Sequence, residues 1–241
     1  MSLISDGPVY QSVRHPKFPS FPALPSECIK LVAAVSRYIS NGNKFNALLT
    51  DGTILKDLDY VHCGTGYRPF PNFIHVLDEE GKHIPFTLDE VVPWRRRVPM
   101  LHRFTMYAHN PFLAFVGAPN VFTPFAVADV VSTWLALAWL NETPYPDTAE
   151  ARLVYEQERL SNVTKQRAEM QNPTSFLSFG AMTWSDELEY AGGFRADIVK
   201  ARPELDKILP RWDDERTKAR EAMFSTKYRA LEYTRDISKQ T

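Results

Sequence analysis

The chain has 241 residues, 44% of them hydrophobic and 24% charged, with a formal net charge of −1. That composition fits a soluble globular protein with a sizeable core and supplies no global field to attract nucleic acid or an anionic membrane. Cys28 and Cys63 are the only cysteines, which excludes a disulfide framework and leaves no zinc-ligand spacing.

Pro16, Pro19, Pro22 and Pro25 recur at every third position, a spacing that suits an extended, polyproline-like segment. It reads as a connector or as a recognition sequence for a proline-binding partner, the connector being the simpler reading. The start, Met1 to Pro8, lacks the basic residues and apolar run of a signal peptide; with reduced thiols, the expected location is cytoplasmic. Ile29 to Ile39 fits neither the helical nor the strand period cleanly and leans to a strand. Asp51-Gly52 between two β-prone runs predicts an antiparallel hairpin over Asn46–Leu55. The run after it predicts a buried strand over Asp59–Cys63, ending where Gly64 and Gly66 flank Thr65. Two glycines around a hydroxyl residue allow a sharp turn and close approach to a ligand.

From Phe70 to Leu77, alternating proline and aromatic residues predict a packed loop or irregular edge. Arg95, Arg96 and Arg97 follow Pro93-Trp94 and read as a solvated turn rather than a phosphate site. Met100–Tyr107 and Leu113–Val116 read as short strands. His102 and His109 read as structural, with no nucleophilic triad and no catalytic side chain. Ala126–Leu140 is apolar nearly all round at helical period, predicting the most buried helix; interrupted by Asp129, it is too short to span a bilayer. Asp147-Thr148-Ala149-Glu150 has the form of a capping box ahead of a charged helical stretch that Asn172-Pro173 breaks. Phe176, Leu177, Phe179, Met182 and Trp184 form an apolar patch expected to dock on the main body. Arg202-Pro203-Glu204 suits a helix start, and Asp213–Ile237 reads as a long amphipathic helix.

Asp59 to Tyr67 resembles the Asp-x-Val-x-x-Ala-Thr-Gly-Tyr signature of the flavin-containing monooxygenases, with Gly64 where the family usually has Ala. Phe112 to Gly117 resembles the strand after which that family's chain returns to the flavin. Phe125 to Trp134 resembles its Glu-x-Gln-Ala-x-Trp helix, with Asp129 for the Glu and Val131 for the Gln. The matches cover roughly Asn46 to Asn141. The resemblance implies a mixed α/β fold, the C-terminal part of a flavoprotein with two dinucleotide-binding domains, ending in a helical tail. The expected segments are 1–45, a proline-rich connector with the end of an NADPH-type domain; 46–145, the returning part of an FAD-type domain; and 146–241, helical.

The resemblance also implies FAD and NADPH as cofactors and oxygenation of a soft nitrogen or sulfur nucleophile, chemistry carried by the cofactor. Thr65, Gly66 and Tyr67 would line the junction near the flavin, and Gly117 and Asp129 would sit by the returning loop. Each dinucleotide requires a Gly-x-Gly-x-x-Gly turn at a helix start, and the chain contains none. The expectation is therefore the C-terminal half only, unable by itself to retain FAD or to oxidise NADPH. It would need a separate N-terminal half or would self-associate, with no nucleic-acid partner and no transmembrane segment. The alternative is a non-catalytic protein that binds a partner through its helical tail or proline-rich start.

Overall fold

A computed structural model describes residues 7–12, 27–64, 71, 73–77, 80–84, 92–171, 173 and 177–238. Contacts divide the chain into two compact units, Met1–Gly66 with Thr217–Thr241, and Tyr67–Arg216. The proline repeat from Pro16 to Pro25, and Thr65, Gly66 and Tyr67, lie outside the described residues.

In the first unit, β1 (Val9–Ser12) pairs in parallel with β2 (Ile29–Val32). Strands β3 (Val35–Asn41), β4 (Lys44–Leu49) and β5 (Ile54–Leu58) form an antiparallel sheet in that order. The expected hairpin is present, with Ala47 opposite Leu55 and Leu48 opposite Ile54. Its turn forms because Gly52 takes a φ of +86°, which costs glycine nothing sterically. The Asp51 carboxylate then accepts from the Thr53 amide at 2.9 Å. The stretch Ile29 to Ile39 is two strands rather than one, interrupted at Ala33-Ala34.

The expected buried strand over Asp59–Cys63 is absent. β5 ends at Leu58, the next five residues have no strand pairing, and Tyr60 is 93% exposed. The pattern was β-prone, but Asp59 is held at the surface by an ion pair with Lys44. A buried strand could not place an unburied carboxylate there.

The second unit contains two short hairpins, β6 (Val76–Leu77) with β7 (His83–Ile84), and β8 (Leu101–His102) with β9 (Met106–Tyr107). Met100–Tyr107 is therefore a tight reversal instead of a strand, with Arg103 and Phe104 both at positive φ. Leu113–Val116 forms only an isolated bridge, Ala114 to Met106. The helices are α1 (Pro124–Trp139), α2 (Ala149–Ala168), α3 (Trp184–Ala201) and α4 (Asp214–Ser238), the last crossing from the second unit into the first. Pro203–Lys207 is a 3₁₀ turn rather than the α-helix expected after Arg202.

α1 is the most buried helix among the described residues, with Val127, Val130, Val131, Trp134, Leu135, Leu137 and Ala138 inside. Leu140, expected in its apolar face, lies past its end and is exposed. α1 packs on α3, so the core runs from the expected middle segment into the expected helical tail. Phe179 and Met182 join this core, as the apolar patch predicted. α2 begins one residue later than the capping-box reading: Thr148, not Asp147, is the N-cap, accepting from the Ala151 amide at 3.2 Å. The complete capping box belongs to α3, where Thr183 and Asp186 exchange side-chain bonds with each other's amides. The arginine run is not a solvated turn throughout. Arg97 pairs with Glu156 with both side chains largely buried, and its guanidinium covers the Phe179 ring.

Candidate functional site

The approach to α1 is assembled from pieces far apart in sequence. The Phe115 amide donates to the Thr105 carbonyl at 2.8 Å, and the Thr105 hydroxyl donates back to the Phe115 carbonyl at 3.0 Å. Gly117, at φ +83°, then turns the chain; a Cβ there would meet nothing within 4 Å, so conformation rather than space calls for glycine. Asn120 is clamped in a parallel bridge to Ala181, donating to the Gly180 carbonyl at 2.6 Å and accepting from the Met182 amide at 3.0 Å.

α1 then starts at Pro124, which has no amide hydrogen to satisfy. Thr123, its N-cap, makes no capping bond of its own. Glu187 from α3 supplies the missing acceptor. Its fully buried carboxylate accepts from the Phe122 amide, from the Thr123 amide at 3.2 Å, from the Thr123 hydroxyl and from the Trp212 indole at 3.0 Å. A negative charge beside the positive end of a helix is favourable, and four donors offset much of the cost of burying it.

That arrangement bears on cofactor binding. A helix start holds a pyrophosphate through free amides and the helix dipole, whereas here the flanking amides are already committed to a carboxylate. The start of α1 therefore does not offer its Phe122 and Thr123 amides to a pyrophosphate.

Of the residues singled out from sequence, Thr65, Gly66 and Tyr67 lie outside the described residues, and with them the concave surface expected between Thr65 and Gly117. Gly117 lies in the turn before α1, and Asp129 is exposed in the second turn of that helix. No hydrogen bond among the described residues joins the two. The Asp129 carbonyl accepts from Ser132 and Thr133 hydroxyls at 3.2 and 2.7 Å. Val131, which stands where the family has Gln, is inside the core, so an amide there would be buried among apolar side chains. Phe125, in the first turn of α1, is 88% exposed.

His102 is largely buried between loop and helix. Burial pushes its imidazole down to about 4, aided by the charges of Arg103 and Arg152 and opposed by its bond to the Arg152 carbonyl at 3.3 Å. Arg152 itself spans from α2 to the Ala108 carbonyl at 2.6 Å and the Pro146 carbonyl at 2.7 Å. These groups tie the loops to α2. Among the described residues no His, Cys, Asp and Glu group could hold a metal ion, and no helix is long and apolar enough to cross a membrane.

By sequence the chain matches no protein-family profile and no curated protein. Its structure is similar to that of Tmm from Pelagibacter sp. strain HTCC7211, a flavin-containing trimethylamine monooxygenase, with a TM-score of 0.51 and 20% identity. The fold is flavin monooxygenase-like. The likeness covers 78% of this chain and 36% of the Tmm chain, so the chain spans about a third of the length of that relative.

Sequence reasoning missed Glu187 and Trp212. The signal for the first was present: Thr183 followed by Asp186 marks a helix start, and places Glu187 one turn in. Nothing marked Trp212 as the fourth donor, because that contact exists only once the segment after α3 folds back.

Proposed function

We propose that this chain provides the C-terminal part of a flavin-dependent monooxygenase that oxygenates a soft nitrogen or sulfur nucleophile with FAD, NADPH and oxygen. The observation that carries the reading is the structural likeness to Tmm over 78% of this chain, beside the three sequence resemblances. In this reading Thr65, Gly66, Tyr67, Gly117 and Asp129 lie towards the flavin, and the pyrophosphates are held by dinucleotide-binding segments outside these 241 residues. The role of the chain's own residues is to complete the fold and shield the cofactor from water.

The test is a pair of flavin spectra. The 241-residue chain is incubated with FAD and desalted, and the same chain is co-expressed with a portion carrying two Gly-x-Gly-x-x-Gly turns from a flavin monooxygenase. Flavin bands and NADPH consumption with an amine or sulfide are expected only in the co-expressed sample. A yellow protein with near-stoichiometric FAD from the chain alone would overturn the proposal, as would a colourless co-purified pair.

A further inference from the structure

The first unit has two turns of related sequence, Asn41-Gly42 between β3 and β4 and Asp51-Gly52 between β4 and β5. Their glycine amides differ. The Gly52 amide donates to the Leu49 carbonyl at 3.1 Å, and the Asp51 carboxylate accepts from the Thr53 amide at 2.9 Å. That bond holds the Asp51 carboxyl below the usual carboxylate range, so it is anionic at neutral pH and a poor electrophile. The Gly42 amide has no hydrogen-bond partner among the described residues, and a Cβ on Gly42 would meet nothing within 4 Å. Its nitrogen is therefore neither engaged nor shielded.

Asn41-Gly42 is the only Asn-Gly dipeptide in the chain, and Asn41, Gly42 and Asn43 are all exposed. The Asn41 side chain makes one hydrogen bond among the described residues: its Nδ2 donates to the Asp57 Oδ1 at 3.1 Å. Asp57 is itself seated by its amide, which donates to the Asn46 Oδ1 at 2.9 Å. For the Asn41 Cγ to reach the Gly42 nitrogen, the carboxamide has to rotate away from Asp57 and give up that bond.

We propose that Asn41 is a site of spontaneous deamidation, opened by the free Gly42 amide and restrained by Asp57. The Gly42 nitrogen loses its proton and bonds to the Asn41 Cγ; the Cγ–Nδ2 bond breaks, and Nδ2 leaves with that proton as ammonia. The chain now carries a succinimide ring. Water opens it at the Cγ carbonyl to give aspartate, or at the backbone carbonyl to give isoaspartate. The balance is amide and water in, acid and ammonia out, with no other reactant. Either product sets a negative charge where a donor faced Asp57, and the two repel. Isoaspartate also adds a carbon to the main chain beside the Asn41 to Lys44 pair that closes the hairpin. The change therefore loosens β3, the outer strand of its sheet. This site is independent of the flavin reading.

The experiment incubates the full chain in mildly alkaline buffer and follows it by peptide mapping, with isoaspartate read by enzymatic carboxyl methylation. Aspartate and isoaspartate are expected to accumulate at position 41 while Asn43, Asn46 and Asp51 stay unchanged. Asp57→Gly, which suits the φ of +57° at that position, should speed the conversion about two- to tenfold, the range of one hydrogen bond. Asp57→Asn keeps an acceptor and tolerates the same φ, so its rate should stay near that of the parent. No conversion at Asn41, conversion at Asn43 or Asp51 as fast as at Asn41, or an Asp57→Gly rate equal to the parent's would overturn the proposal.

Discussion

Thr123 and Glu187 are 64 residues apart in the chain and meet at the start of α1, where the buried carboxylate accepts from both the amide and the hydroxyl of the threonine. Removing the acceptor leaves four part-buried donors without their partner. Glu187→Ala is expected to destabilise the fold by about 3 kcal/mol or more. Glu187→Gln, which keeps the shape and one carbonyl, should lose less. Urea midpoints of the two variants check this, and an alanine variant within about 0.5 kcal/mol of the parent, as at a surface site, would refute it.

Trp134 is fully buried against Phe194, ring centroids 5.0 Å apart and edge to face, with the Arg103 guanidinium 5.3 Å from its own centroid. Trp134→Ala should cost roughly 3–5 kcal/mol. Its indole nitrogen has no partner, so Trp134→Phe removes an unmatched donor along with some volume and should cost less than half as much. Equal losses for the two would show that the indole nitrogen matters in a way its surroundings do not reveal.

His102 makes stability depend on acid. Its folded pKa is about 4, below the ordinary value of 6.5, so the native state favours the neutral ring. Stability from this group is complete above about pH 6.5 and falls as the unfolded chain takes up the proton, levelling off below about pH 4. Between pH 7 and pH 5 the loss should be about 2 kcal/mol. Unfolding free energies of the parent and His102→Gln across that interval test this: the parent curve should be the steeper, and parallel curves would rule His102 out as the cause.

The two helix starts read differently from sequence and structure can be separated by paired substitutions. Thr148→Ala and Thr183→Ala should each cost about 1 kcal/mol, as lost N-caps do. Asp147→Ala should leave stability within about 0.5 kcal/mol. Thermal unfolding of the three variants decides it, and a larger loss for Asp147→Ala than for Thr148→Ala would restore the capping-box reading.

The hairpin at Asp51-Gly52 and helix α1 could be read in advance because each depends on its own local residues: a turn dipeptide in one case, an unbroken apolar stretch in the other. Asn41-Gly42, with Gly42 at φ +61°, carries the same kind of turn signal for β3 and β4 and went unread. α3 lies within the 146–241 stretch expected to be helical but was not singled out, because Gly192 and Gly193 interrupt its pattern. Its stability comes from tertiary contacts, Phe194 and Ile198 against α1, which no local window contains. The Asp59–Cys63 strand failed for the opposite reason: β-propensity was high, but among the described residues no strand pairs with it and its side chains are mostly exposed. Asp129 lies on the helix expected, whereas Gly117 follows an isolated bridge in place of the expected strand, and the carboxylate that occupies the helix start between them came from a helix not singled out.

The reliance of α1 on Glu187 also sets an order of events on the ribosome. At about 5–20 residues per second, the 64 residues between Thr123 and Glu187 take roughly 3–13 s to synthesise. Through that interval α1 has emerged with Val130, Trp134 and Leu137 uncovered and its first turn uncapped. The nascent chain thus offers an apolar helix to chaperones, or to other nascent chains, until α3 arrives to cover and close it.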